Sequence, residues 1–115
     1  MNEAIEKIPD LRITFDSGNV LIGGENPVDG FLNSKNFIIH THFKDWEISD
    51  KGRDALDGKK YIPALIGEGV IDYKKLVKTM EEEKYSYYVS IEYEGEKYPP
   101  EEAIKKALSF LTNLK

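Results

Sequence analysis

Asp16, His42 and Glu92 are the residues of this sequence whose types and placement point to joint chemistry. Each is the last polar side chain of a stretch that alternates like a β-strand. Each therefore stands at the C-terminal end of a predicted strand. Two carboxylates and one imidazole suit a divalent ion that accepts oxygen and nitrogen ligands, such as Mn²⁺, Co²⁺, Mg²⁺ or Zn²⁺. Such an ion polarises a carbonyl and stabilises the charge that develops on it. A neighbouring carboxylate, here Glu92, can move the proton.

Both histidines lie in the stretch Ile38-Ile39-His40-Thr41-His42-Phe43-Lys44-Asp45, two residues apart. A strand there turns His40 and His42 to one face and Ile39, Thr41 and Phe43 to the other. Lys44 and Asp45 mark its end. Lys44, just past His42, is placed to hold a substrate oxygen or a phosphate. Plainer readings stand beside these. Asp16 precedes Ser17-Gly18-Asn19 and also reads as a turn residue. His40 reads as a packed, hydrogen-bonded interior residue. Glu94 and the run Glu81-Glu82-Glu83-Lys84 read as solvated, and Tyr85, Tyr87, Tyr88 and Tyr93 as packing. Glu92 sits among aromatic and β-branched residues, where an inward carboxylate without a partner is costly.

The elements that must position these groups follow from periodicity. A helix is predicted over 2–9 and closed by Pro9, then a strand over 11–16, with Leu11, Ile13 and Phe15 on one face and Arg12, Thr14 and Asp16 on the other. Residues 16–19 turn the chain, 20–26 form a Gly-rich connection, and a short helix covers 27–32 with Pro27 in its first turn. The strand carrying the histidines comes next. Residues 46–69 read as a long, charged loop of the kind that forms lids or binding loops. Asp72 caps a helix with Tyr73, Leu76, Val77 and Met80 at helical spacing. The third strand covers 87–93, with Val89, Ile91 and Tyr93 on one face and Tyr88, Ser90 and Glu92 on the other. Pro99 and Pro100 open the last helix, whose apolar stripe is Ile104, Ala107, Leu108 and Leu111. Strands alternating with helices predict an α/β fold with a parallel sheet. One aliphatic and one polar strand face fit a barrel wall better than a doubly covered open sheet.

Composition narrows the classes. The 115 residues, 40% hydrophobic and 32% charged, suit a single domain spanning 1–115. A net charge of -5 argues against a nucleic-acid backbone as partner. The absence of cysteine excludes disulfides and thiolate metal sites and points to a reducing cytoplasm. No stretch has the roughly 20 apolar residues that a membrane span needs, and the N-terminal residues lack a signal-peptide pattern.

The motifs Phe15-Asp16-Ser17-Gly18-Asn19, His40-Thr41-His42-Phe43-Lys44-Asp45, Gly67-Glu68-Gly69-Val70-Ile71-Asp72-Tyr73 and Ser90-Ile91-Glu92-Tyr93-Glu94-Gly95 resemble the xylose isomerase-like TIM-barrel superfamily. That group includes sugar-phosphate isomerases and epimerases, ketose 3-epimerases, inosose dehydratases and endonuclease IV enzymes. The resemblance covers nearly the whole chain and corresponds to the last three strand-helix units of the barrel. It implies a partial (β/α) barrel, metal-ligand roles for Asp16, His42 and Glu92, and an acid/base role for Glu92. It places Asn19, His40 and Lys44 near the substrate, with His40 one layer deeper. The implied activity is metal-dependent isomerisation or epimerisation of a sugar or sugar phosphate. Asn19 stands where many relatives carry a histidine, which disfavours the endonuclease IV branch. A full barrel takes about 250 residues, and its fourth ligand comes from a fifth strand. The expected partner is therefore an N-terminal half-barrel or further copies of this chain. The alternative is a non-catalytic barrel fragment held together by oligomerisation.

Overall fold

A computed structural model describes residues 12–114 of the chain. The helix expected over 2–9 lies outside the described residues. Three parallel strands form the main sheet in the order β1-β2-β5: β1 is Ile13–Asp16, β2 is Ile38–Phe43 and β5 is Tyr88–Ile91. The helices are α1 (Ser17–Ile22), α2 (Pro27–Ser34), α3 (Tyr73–Glu82) and α4 (Pro100–Thr112). A second sheet is an antiparallel hairpin of β3 (Asp45–Asp54) and β4 (Lys60–Ala64). None of the described helices is long and apolar enough to cross a membrane.

The core lies on one side of the main sheet. Ile13, Phe15, Ile38 and Phe43 pack there against Val28 and Phe31 of α2, Tyr73, Leu76 and Met80 of α3, and Ala103 and Ala107 of α4. The opposite side carries the polar row expected from the alternation. Thr14 is exposed, and Asp16, His40, His42, Ser90 and Glu92 are half-buried. The expected strand-helix order and the division into an aliphatic and a polar face are therefore present.

Five local expectations are corrected. The stretch 46–69 is not a structureless loop. It is mostly the β3–β4 hairpin, turned at Ala55–Lys59 by the bond from Ala55 N–H to Lys59 C=O, with Gly58 at φ +84°. Left-handed backbone of that kind favours glycine. The segment after Asp16 is not only a turn; it winds into α1, with Asp16 as its N-cap accepting from Asn19 N–H at 2.9 Å. In β2 the pairing with β1 shifts register beside Ile13, so Ile38 is buried while Ile39 is 47% exposed. An extra residue at a bulge breaks the strict alternation there. The buried stripe of α4 runs through Ala103 and Ala107, and Ile104 and Leu108 are about half exposed. Small alanines let the helix backbone approach the core closely. The third strand is also shorter than 87–93, and Glu92 follows its last residue. Glu92 N–H still bonds Phe43 C=O at 2.9 Å, which extends the ladder by one step.

Candidate metal centre

The parallel register sets the site. Asp16 pairs with His42 in the sheet, and His42 with Ser90, so the polar side chains at the ends of three neighbouring strands share one side. Each of Asp16, His42 and Glu92 offers one ligand atom, and these atoms lie within 4.8 Å of one another. Opposite ligands of one ion with bonds of about 2 Å stand about 4 Å apart, so the spacing of this set is near what one cation would require. His42 Nδ1 is 2.6 Å from Glu92 Oε1. Asp16 uses one oxygen to cap α1, which fixes its rotamer at the rim. The structure thus makes Asp16 a helix N-cap, and the cap is compatible with the ligand reading of the same side chain.

Around this set stand the other sequence candidates. His40 Nε2 bonds Ser90 Oγ at 2.8 Å, and its ring meets that of His42 edge-on at 4.8 Å. His40 is thus hydrogen-bonded and packed, and it orients His42 from below. Lys44 is 9% exposed and lies 3.4 Å from Glu92 Oε2 and 3.2 Å from Glu94 Oε1. Burial opposes its charge, but the hydrogen bond to Glu94 and the charges of Asp16, Glu94 and Glu92 outweigh burial and raise its pKa. Asn19 is exposed, and its main chain makes the contact to Asp16. Asp16, Glu92 and Glu94 against Lys44 leave a local excess of negative charge, the balance a divalent cation would neutralise.

Sequence reasoning missed what braces the site from behind. Ser17, fully buried, places its Oγ 2.8 Å from Tyr73 Oη, and Lys44 N–H donates to Ser17 Oγ at 3.2 Å. Tyr73 Oη donates to Lys44 C=O at 2.8 Å. These bonds tie the start of α1, the end of β2 and the start of α3 together. Burial drives the Tyr73 hydroxyl pKa upward, so this braced group stays a neutral donor. Trp46 lies against the same corner. Its Nε1 is buried and is the one buried side-chain polar atom without a hydrogen-bond partner among the described residues. The Lys44 ammonium and Arg53 guanidinium lie 6.0 and 5.9 Å from its ring. Asp45, expected only to end a strand, is completely buried. Its carboxylate accepts N–H bonds from Trp46, Gly67, Gly69 and Ile71 at 2.8 to 3.2 Å. Burial outweighs those four bonds and pushes its pKa up to about 6. The Gly67-Glu68-Gly69 motif was a visible signal; its acceptor was not.

Known proteins share this fold. The family described as xylose isomerase-like TIM barrel matches residues 1–114. Inosose dehydratase of Lacticaseibacillus casei is 27% identical over 113 residues, covering 90% of this chain and 38% of that protein. Inosose dehydratase of Clostridium perfringens is 29% identical over 130 aligned residues, covering 97% of this chain and 44% of that protein. A xylose isomerase domain protein from Planctomyces limnophilus superposes with TM-score 0.77 at 23% identity, covering 98% of this chain and 39% of that one. The probable 3-DHS dehydratase involved in petrobactin synthesis from Bacillus anthracis superposes with TM-score 0.75 at 22% identity, covering 97% of this chain and 43% of that one. The chain thus spans about two fifths of the length of the relatives it matches. It belongs to the xylose isomerase-like TIM barrel family and forms a partial barrel of that fold.

Proposed function

We propose that this chain carries the carboxylate-imidazole-carboxylate wall of a divalent-metal site. In that site a proton is moved at a carbon next to a carbonyl of a sugar, sugar phosphate or related polyhydroxylated substrate. The observation that carries the reading is the convergence of Asp16, His42 and Glu92 within 4.8 Å. These three would hold Mn²⁺, Co²⁺, Mg²⁺ or Zn²⁺, which when bound supplies Lewis-acid polarisation of the substrate oxygen. Glu92 is the group placed to move the proton. Lys44 sets a positive charge beside Glu92, where it can help to hold a substrate oxygen that gains negative charge as the proton leaves. His40 and Ser90 keep the His42 ring in place.

Epimerisation, isomerisation and dehydration of a hydroxylated ketone share this first proton removal and part ways at the second step. Return of the proton gives an isomer or epimer, and loss of the neighbouring hydroxyl gives a dehydration product. The relatives named as dehydratases and the epimerases among the similar structures support the shared step. The far wall of the site and the remaining ligand are assigned to strands beyond this chain's three, whether in the same polypeptide, in a docked half-barrel or in a second copy. Both edges of the main sheet, open among the described residues, and the half-exposed Ile104 and Leu108 favour such association. They equally favour the second reading, a non-catalytic barrel fragment stabilised by self-association.

The test is titration calorimetry of the chain with Mn²⁺, paired with native mass spectrometry. One bound ion per chain, abolished in His42→Ala, is expected. Wild-type chain that binds no Mn²⁺ in any oligomer overturns the metal reading of this piece. Exchange of substrate carbon-bound protons with D₂O, followed by NMR on polyhydroxylated ketones, then separates the enzyme from the inert fragment.

A further inference from the structure

The segment from Glu92 to the start of α4 has little regular structure, yet it must hold Glu92 at the rim of the site. Besides His42 and Lys44, which reach Glu92 and Glu94, one distant side chain anchors its later part. Glu68 accepts from Tyr98 Oη at 2.7 Å and from Lys97 Nζ at 3.2 Å. Tyr98 in turn donates its N–H to Tyr93 Oη at 3.2 Å, and Tyr93 follows Glu92 directly. The backbone on both sides of Glu68 is fixed. Glu68 stands between Gly67 and Gly69, whose N–H groups both bond Asp45. A Cβ at Gly69 would overlap the Asp45 carboxylate, and Gly67 has φ +95° with the Phe110 ring 2.9 Å from where its Cβ would lie. Glycine is thus required on both sides of Glu68. A continuous line of bonds therefore runs from Asp45, which directly follows Lys44, through the Gly67-Glu68-Gly69 loop and Tyr98 to Glu92.

We propose that Glu68 is a positioning residue that sets Glu92 against His42 through Tyr98, with Asp45 as the fixed base of the line. The proposal deepens the reading above and rests on it, because it gives a purpose to the placement of Glu92. It also explains the spacing of the Gly67-Glu68-Gly69 motif: the glycines clamp onto Asp45 so that the residue between them must face the Glu92 segment. Glu68 touches neither Asp16 nor His42 among the bonds described, so it acts only through the segment.

The test uses the full chain and three variants: Glu68→Ala, Glu68→Gln and Tyr98→Phe. Amide hydrogen exchange by NMR, without metal, reads the bond from Glu92 N–H to Phe43 C=O. Glu68→Ala is expected to speed exchange at Glu92 and Tyr98 by at least about tenfold, while β1 and the hairpin keep their protection. Glu68→Gln, which keeps an acceptor, recovers most of it, and Tyr98→Phe reproduces the loss by removing one hydroxyl. Unchanged exchange at Glu92 in both Glu68→Ala and Tyr98→Phe overturns the proposal, as does a uniform rise across the whole sheet. A second readout is the visible absorption of added Co²⁺, expected to shift in Glu68→Ala and return in Glu68→Gln. Wild-type chain that takes up no Co²⁺ overturns the metal reading alone, since the exchange measurement needs no ion.

Discussion

His42 Nδ1 stands 2.6 Å from Glu92 Oε1, joining the last polar side chain of β2 to the residue just beyond β5. The bond crosses between neighbouring strands, so it reports the pairing that builds the site. A cation held by both groups would take the place of this contact.

Glu92→Gln tests that pair. The amide keeps the volume and can still bond the imidazole, but it is a poor metal ligand. Mn²⁺ affinity is expected to fall by more than the roughly 10–100-fold that loss of an outer partner costs. Asp16→Asn is expected to do the same. Both residues are only half-buried at the rim, so thermal midpoints should move little. Calorimetry showing Mn²⁺ affinity unaltered in both variants would remove these two carboxylates from the metal site.

Asp45→Asn tests the base of the loop clamp. The substitution turns an acceptor of four N–H groups into a side chain that carries a competing NH₂. It is expected to cost about 2–4 kcal/mol of stability at neutral pH. The pH dependence has a definite sign. With a folded pKa of about 6 against 3.8 for the free group, the folded chain binds the proton more tightly than the unfolded chain. Stability therefore falls as pH rises from about 4 to about 6 and is flat above. That swing is worth up to about 3 kcal/mol and should vanish in Asp45→Asn. Urea denaturation of both proteins from pH 4 to 8 reads the difference, and parallel curves would show that Asp45 does not titrate in this window.

The parts of this site legible in the sequence are those carried by strand alternation. Asp16, His42 and Glu92 each end a polar row, and period-two alternation puts such residues on one face without further information. The hairpin was missed, although Asp57-Gly58 between two runs containing Trp46, Ile48, Tyr61 and Ile62 is a turn signal. Interspersed charges such as Glu47, Asp50, Lys51 and Arg53 hid the strand pattern. The bulge at Ile38 and Ile39 had no signal, because both residues are apolar and either could face the core. In α4, Ala107 is buried as expected, but Ala103 is buried where Ile104 and Leu108 were expected, since alanine scores below isoleucine and leucine in any hydrophobic pattern. Asp45 was invisible for a different reason. Its role depends on N–H groups of Gly67, Gly69 and Ile71, more than twenty residues away, and only the fold brings them together.

Lys44→Met separates a binding role for this lysine from a restraint on the ligands. The ammonium stands 3.4 Å from Glu92 Oε2 and competes with a cation for the same carboxylate. Removing one positive charge about 4 Å away is worth about 1 kcal/mol in water, so Mn²⁺ should bind several-fold more tightly in the variant, while turnover of an anionic or polarised substrate should fall. The pKa of Lys44 is raised in the folded chain. Its contribution to stability is therefore fully present below the ordinary lysine value of about 10.4 and is lost as pH rises through the higher folded value. Mn²⁺ affinity that weakens in Lys44→Met would show that Lys44 supports the site by packing rather than by charge.

Gly18→Ala asks which of two opposed effects wins at the start of α1. Alanine in place of glycine inside a helix gains up to about 1 kcal/mol in propensity. Here the new Cβ would lie 2.8 Å from Trp46 Nε1 and 3.0 Å from both Cβ and the carbonyl oxygen of Lys44. That carbonyl is held by Tyr73 Oη and Ser17 Oγ, so it cannot retreat without breaking the brace behind the site. Overpacking of this kind costs about 1–3 kcal/mol, and the close backbone contact puts it at the upper end. The expected net is a loss of about 1–2 kcal/mol, or roughly 5–10 °C in thermal midpoint for a chain of this size. Trp46 is the only tryptophan, so its fluorescence reports the site directly. Emission should shift to the red as the indole is pushed toward water, and Mn²⁺ affinity should drop because Asp16 caps the same helix. A Gly18→Ala chain as stable as wild type, with unchanged emission, would show that the indole has room to move and that Gly18 is dispensable for setting Asp16.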